Sequence, residues 1–183
     1  MGRDKAFLTL DGIPMIERVL RTLRAVFPRI IIVTNDPASY VSYGAVVVTD
    51  AVDKQGPLTG IYSGLLHSRA DYNFVVACDM PFLNPGLITH MAGLAEGHDI
   101  VAPMVAGYLE PLHAFYHRRL LSVIEERLRR DERKIRGIYS DARVRYVLEP
   151  EIVRFDPEQR SFKNLNTPEE YMEATCLDLE CRS

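Results

Sequence analysis

Cysteine is scarce: Cys78, Cys176 and Cys181 are the only three in 183 residues. So few, and an odd number, exclude a disulfide framework, and Cys176 and Cys181 lack CxxC spacing, so a reducing cytoplasm is the expected setting. Long hydrophobic runs are missing too. No apolar stretch approaches the roughly 18 residues of a membrane span, and the opening MGRDKA is charged where a secretory signal would turn apolar. The chain is therefore expected to be soluble and unexported, with no membrane partner. Nor is there an excess of positive charge. Lys and Arg number 22 against 25 Asp and Glu, and the formal charge of −3 offers duplex nucleic acid no basic field. Repeats, linkers and low-complexity segments are also lacking.

What is present is a globular composition, 47% hydrophobic and 26% charged, which excludes disorder as the main state. At roughly 100 to 200 residues per domain, 1–183 reads as one domain. Met15, Ile16, Val19, Leu20, Leu23, Val26 and Phe27 follow helical spacing, with Pro14 suited to a first turn and Pro28 to a stop, so a helix is predicted over 14–26. Ile30 to Val33, Val46 to Val48 and Phe74 to Cys78 are continuous apolar runs, the pattern of strands covered on both faces. Helices are predicted around 60–66, from Pro85 behind an Asn84 cap, over 120–128, and from the Thr167-Pro168-Glu170 capping box. Further strands are predicted at 100–103, 112–116 and 144–148. This alternation predicts an α/β fold, a three-layer open sheet of mostly parallel strands with helices on both faces. Ligands bind such sheets beyond the carboxyl ends of their strands, where Asn35, Asp50 and Asp79 stand.

Two further absences narrow the chemistry. Neither GxGxxG nor GxxxxGK[ST] occurs, which argues against a nicotinamide dehydrogenase and a P-loop kinase or GTPase. Strand-end carboxylates and amides with Arg3 and Lys5 suit a hard divalent ion bound to phosphate, since such an ion takes one or two carboxylates and fills its other positions with phosphate oxygens and water. Asp79 reads as a metal ligand or as a turn cap; Lys5 and Arg3 read as polyphosphate contacts or as solvated charges. Gly60 and Gly64 share a helix face, for close packing or for ligand approach. His113 and His117 have the spacing of a helical zinc pair, but the Glu of HExxH is missing and a strand suits the segment better. The basic residues of 117–136 read as a solvated face or as an anion-binding patch.

Taken in order, MGRDKAFLTLDGIPMIERVL, TND, the Asp50 to Gly60 stretch with GPLTG, CDMPFL, EPLHAFY and NLNTPEEY resemble the molybdenum cofactor guanylyltransferase family from residue 1 to about 175. The resemblance implies a Rossmann-like nucleotidyltransferase fold, Mg2+, and transfer of GMP from GTP to the terminal phosphate of molybdopterin with release of pyrophosphate. It implies Lys5 as the phosphate-binding lysine, Asn35 and Asp50 as nucleotide contacts, Asp79 as the magnesium ligand, and Asn164 and Asn166 as paired asparagines towards the metal and the acceptor. Asn166 also reads as a cap for the last helix. Other molybdenum cofactor biosynthesis proteins and apo-molybdoenzymes are the further partners it implies. Residues 176–183 match no part of the pattern.

The family pattern opens with a strand and a glycine-rich loop, LAGGxSxRMGxDK, and the present sequence begins at its Met-Gly. A strand and loop encoded just upstream of Met1 are therefore expected, with poor expression and little turnover without them. Two alternatives to the guanylyltransferase reading stay open: a related cytidylyltransferase or sugar-phosphate nucleotidyltransferase, and a non-catalytic nucleotide-binding relative.

Overall fold

The computed structural model describes residues 5–52, 56–165 and 170. The helix expected from Thr167-Pro168, together with Arg3, Asn166, Cys176, Cys181 and the segment 176–183, lies outside the described residues. A 3-10 turn over Lys5–Phe7 leads into a tight hairpin of β1 (Thr9–Leu10) and β2 (Ile13–Pro14). Asp11 and Gly12, at φ 51° and 74°, supply the paired left-handed residues that a two-residue hairpin turn demands. Helix α1 (Met15–Val26) follows at once and buries Met15, Ile16, Val19, Leu20 and Leu23 as one stripe. Arg18 of this helix reaches back to the hairpin, donating to the Leu10 carbonyl at 2.8 Å and to Asp11 Oδ2 at 2.7 Å. Pro14 ends β2 instead of joining the helix, and Phe27 is extended ahead of Pro28, as the residue before a proline should be.

Strands β3 (Ile31–Val33) and β4 (Val46–Val48) pair in parallel, in register Ile31 with Val46. Helix α2 (Pro57–His67) starts three residues before its predicted first residue because Gly56, at φ 143°, turns the chain and Pro57 presets the first helical position. Then come β5 (Tyr72–Val76), α3 (Pro85–Gly93), β6 (Ile100–Val105), β7 (Tyr108–Leu109), β8 (His113–His117), α4 (Leu121–Arg129), β9 (Val144–Val147) and the short α5 (Glu149–Ile152). Asn84 caps α3, its side-chain oxygen accepting from the Leu87 amide at 3.0 Å.

The strands form three sheets: β1 with β2, β3 with β4, and a mixed five-stranded sheet in which β5, β6 and β9 run one way and β7 and β8 the other. Among the described pairings β3 with β4 and β6 with β9 are parallel; β1 with β2, β5 with β8, β6 with β7 and β6 with β8 are antiparallel. The chain reverses at Ala106 and Gly107, φ 49° and 79°, so β7 and β8 must return against β6. His113 to Tyr116 are buried all the same. Coverage on both faces erased the alternation by which an antiparallel strand would have been recognised.

That coverage forms three layers. Leu58, Ile61 and Leu65 of α2, Ile124 and Leu128 of α4, and Ile138 and Tyr139 pack on Ile100, Ala102, Ala114 and Tyr116. On the opposite face Val19 and Leu23 of α1, Leu87, Ile88 and Met91 of α3, and Ile152 of α5 pack on Val101, Phe115 and Val147. The basic stretch is a paired, solvated face: Arg127 binds Glu132 and Asp141, each at 2.6 Å, Arg129 and Arg130 bind Glu126, and Arg133 binds Asp131.

His113 and His117 lie four residues apart on a strand, about 13 Å by its rise, so they do not converge on a metal. His117 Nδ1 accepts from the Arg119 amide at 2.9 Å. His113 is wholly buried, edge-on to Phe74 and Phe162 with ring centroids 5.0 and 4.9 Å away, and neither of its nitrogens has a hydrogen-bond partner among the described residues. Burial pushes its pKa down to about 3, against the weaker opposing pull of Asp156. Because the folded pKa lies below the ordinary 6.5, the unfolded chain takes up the proton first. Stability is then full above about pH 6.5 and falls as the pH drops towards 3. Urea unfolding should show the parent losing about 1 kcal/mol more than His113→Phe between pH 7 and 5.5; parallel losses would refute the assignment.

Candidate active site

The parallel ladder of β3 and β4 extends one residue past the strands, the Thr34 amide donating to the Val48 carbonyl at 3.0 Å. There the chains part, and the two polar residues that follow meet. Asn35 Nδ2 donates to Asp50 Oδ2 at 3.1 Å, with Asn35 exposed and Asp50 half-buried. Behind them stands Ser63 of α2, completely buried; its hydroxyl accepts from the Ala51 amide at 2.9 Å, donates to the Thr59 carbonyl at 2.8 Å and lies 3.5 Å from Asp50 Oδ1.

Strand β5 stops at Val76, short of the predicted Cys78, and its ladder with β8 gains one more bond in register, the Ala77 amide donating to the Leu112 carbonyl at 3.1 Å. Asp79 therefore sits in a turn beyond the strand. Its main-chain carbonyl accepts from the Leu165 amide at 3.0 Å, which brings Asn164, exposed, to its side. Two further contacts hold this crossing. Ser161 Oγ accepts from the Asn84 amide at 3.1 Å, and the Arg160 guanidinium lies 4.6 Å from the Phe82 ring centroid. Leu165 itself is fully buried with Leu10 and Met15, against Leu8 and Phe82. The turn that carries Lys5 is held from both sides: Ala6 packs with Ile32 of β3 and Tyr40, while Leu8 joins the Leu165 cluster. Lys5 is exposed on that turn.

The structure thus pairs Asn35 with Asp50 directly, joins the Asp79 turn to Leu165, the chain neighbour of Asn164, and mounts Lys5 next to Ala6, which packs against β3. Asn166 and Arg3 lie outside the described residues. Gly64 and Gly60 are not demanded by close packing. A Cβ on Gly64 would meet Val33 Cγ2 at an ordinary 3.6 Å, and one on Gly60 would have nothing within 4 Å. Ser63 and Leu165 were missed by the sequence reasoning. Ser63 carried a signal, a hydroxyl within the apolar stripe of α2, but Leu165 looked like any buried leucine.

Asp79 Oδ1 is buried with no hydrogen-bond partner among the described residues. A buried carboxylate oxygen left unsatisfied is costly, and a cation would satisfy it. Among the described residues no three His, Cys, Asp or Glu side chains converge as a metal cage. One carboxylate completed by phosphate oxygens and water is the donor set of a hard divalent ion, so the residues fit magnesium carried with a phosphate ligand.

Comparison with known proteins matches the MobA-like NTP transferase domain to residues 1–146. A molybdenum cofactor guanylyltransferase of Desulfosudis oleivorans is 41% identical over 174 residues, covering 94% of this chain and 86% of its own. A probable molybdenum cofactor guanylyltransferase of Peptoclostridium acidaminophilum is 36% identical over 177 residues, covering 93% and 80%. Among solved structures, molybdopterin-guanine dinucleotide biosynthesis protein A of Archaeoglobus fulgidus superposes with a TM-score of 0.85 at 29% identity, over 98% of this chain and 92% of that one. The 2-C-methyl-D-erythritol 4-phosphate cytidylyltransferase of Thermus thermophilus, with a TM-score of 0.70 at 16% identity over 96% and 94%, shares the nucleotidyltransferase fold.

If Asp79 holds the cation, magnesium with inorganic pyrophosphate should raise the melting temperature of the parent by about 5 °C at saturation and leave Asp79→Asn unmoved. Without ligand the variant should melt no lower than the parent, since the replaced oxygen makes no hydrogen bond. Equal ligand shifts in both proteins would remove Asp79 from the metal site.

Proposed function

Because the chain belongs to the molybdenum cofactor guanylyltransferases, within the MobA-like NTP transferase family, we propose that it transfers the GMP moiety of GTP to the terminal phosphate of molybdopterin and releases pyrophosphate. The observation that carries this reading is the turn of Asp79, with an unsatisfied buried carboxylate oxygen on one side and the Asn164–Leu165 segment on the other.

The reaction asks little covalent chemistry of the protein. An oxygen of the acceptor phosphate, already ionised near neutral pH, bonds to the α-phosphorus of GTP. The bond from that phosphorus to the α–β bridging oxygen breaks, and pyrophosphate leaves with the electron pair. No proton changes hands, so no general base is needed, in keeping with a site of Asp, Asn and Lys. Asn35 and Asp50 bind the nucleoside, their mutual hydrogen bond fixing where each presents its remaining polar atom. Lys5 places its positive charge against the phosphates and stabilises the charge that builds on the departing pyrophosphate. Asp79 holds magnesium, which when bound neutralises phosphate charge and polarises the α-phosphoryl group. Asn164 and Asn166 orient the acceptor, so that both phosphates are held in line. The proposed setting is the cytoplasm; among the described residues no helix is long and apolar enough to cross a membrane.

Pyrophosphate release with molybdopterin as acceptor should be supported by GTP and not by CTP; equal or faster release with CTP would overturn the guanine assignment. Asp79→Ala should lower turnover on the order of a hundredfold or more, and a variant with near-parental turnover would refute its role. Asn164→Ala should lower kcat while leaving the GTP dissociation constant unchanged. Unchanged kinetics with only a lower melting temperature would make Asn164 a loop residue instead.

A further inference from the structure

Ser63 does more than a buried serine in a helix requires. Such a residue normally satisfies itself by donating to the carbonyl four positions back, and Ser63 does so, to Thr59 at 2.8 Å. That bond uses its only proton. Its lone pairs remain, and one accepts the amide of Ala51 at 2.9 Å. Ala51 immediately follows Asp50, so a helix hydroxyl fixes the main chain of the loop that carries Asp50. The same oxygen stands 3.5 Å from Asp50 Oδ1, while Oδ2 is engaged by Asn35 at 3.1 Å. Asp50 is thus set at two points, its carboxylate by Asn35 at the end of β3 and the main chain that follows it by Ser63 of α2.

We propose that Ser63 is a positioning residue of the nucleotide site, registering the loop after β4 against α2 and so setting the geometry of the Asn35–Asp50 pair. It touches no substrate, being wholly buried. The proposal deepens the reading of Asn35 and Asp50 as nucleotide contacts and rests on it. Removing the hydroxyl leaves the Ala51 amide without this acceptor and lets the Asp50 loop drift, which weakens nucleotide binding while sparing the Asp79 turn where the chemistry takes place.

The test compares Ser63→Ala with Ile61→Val, a mild truncation of a buried residue on the same helix, in the full chain with GTP and molybdopterin. Ser63→Ala should raise KM for GTP about tenfold, the loss expected for one buried hydrogen bond, with kcat within about twofold, while Ile61→Val leaves KM unchanged. Should Ser63→Ala fail to fold, Ser63→Thr, which keeps a hydroxyl able to bond the same carbonyl, is expected to hold the parental KM; a tenfold rise there would overturn the proposal. Asn35→Ala and Asp50→Ala separate the two ways of failing. If they raise KM and Ser63→Ala behaves like Ile61→Val, the positioning role is wrong and the nucleotide reading stands. If neither raises KM, both fall.

Discussion

Strand β6 is the constraint on which the molecule depends. It is bonded along both edges, to β8 and β7 on one side and β9 on the other, and its successive residues divide between the two cores. Ile100 and Ala102 face α2 and α4; Val101 faces α1 and α3. A strand paired on both edges and covered on both faces has no freedom of register, because a slip of one residue would exchange the two cores. The Asp79 turn, three residues past β5 of the same sheet, inherits that precision through a short connection.

The site is carried on irregular backbone, yet little of it is loose. Each candidate residue stands one to three positions past a strand or beside a buried anchor: Asn35 and Asp50 past β3 and β4, Asp79 past β5, Asn164 next to Leu165, Lys5 next to Ala6. The anchors are apolar and the presented groups polar, so packing positions what chemistry needs without competing for it. Tyr116 serves the same end at a distance. Its hydroxyl donates to the Pro111 carbonyl at 2.7 Å and faces Tyr139, steadying the segment whose Leu112 carbonyl accepts the last ladder bond of β5 before Asp79.

Much of this was legible in the sequence, and the reasons are physical. Helix α1 could be read because its apolar stripe is complete and prolines mark both ends. That Asn35 and Asp50 stand at neighbouring strand ends was implied by two β-branched runs, Ile30 to Val33 and Val46 to Val48, each ending in polar residues; their hydrogen bond was not. The direction of β8 was hidden, since burial on both faces removes the period-two signal. The start of α2 was misread because Gly56 and Pro57 looked like loop, although a glycine in a left-handed conformation followed by proline is how that helix begins. Leu165 could not have been found at all: nothing in a leucine announces that its amide will meet the carbonyl of Asp79 from the far end of the chain.

That one backbone bond has a consequence for the order of assembly. Residues Leu8 to Met15 and the turn at Asp79 are made early in synthesis, but the leucine that seals them together is made late. Until it arrives, Leu10 and Met15 lack a side of their cluster and the Asp79 carbonyl lacks its donor, while the central strands can already pair. Contacts between such distant positions form slowly, so the Asp79 turn gains its last backbone partner later than the strands gain theirs.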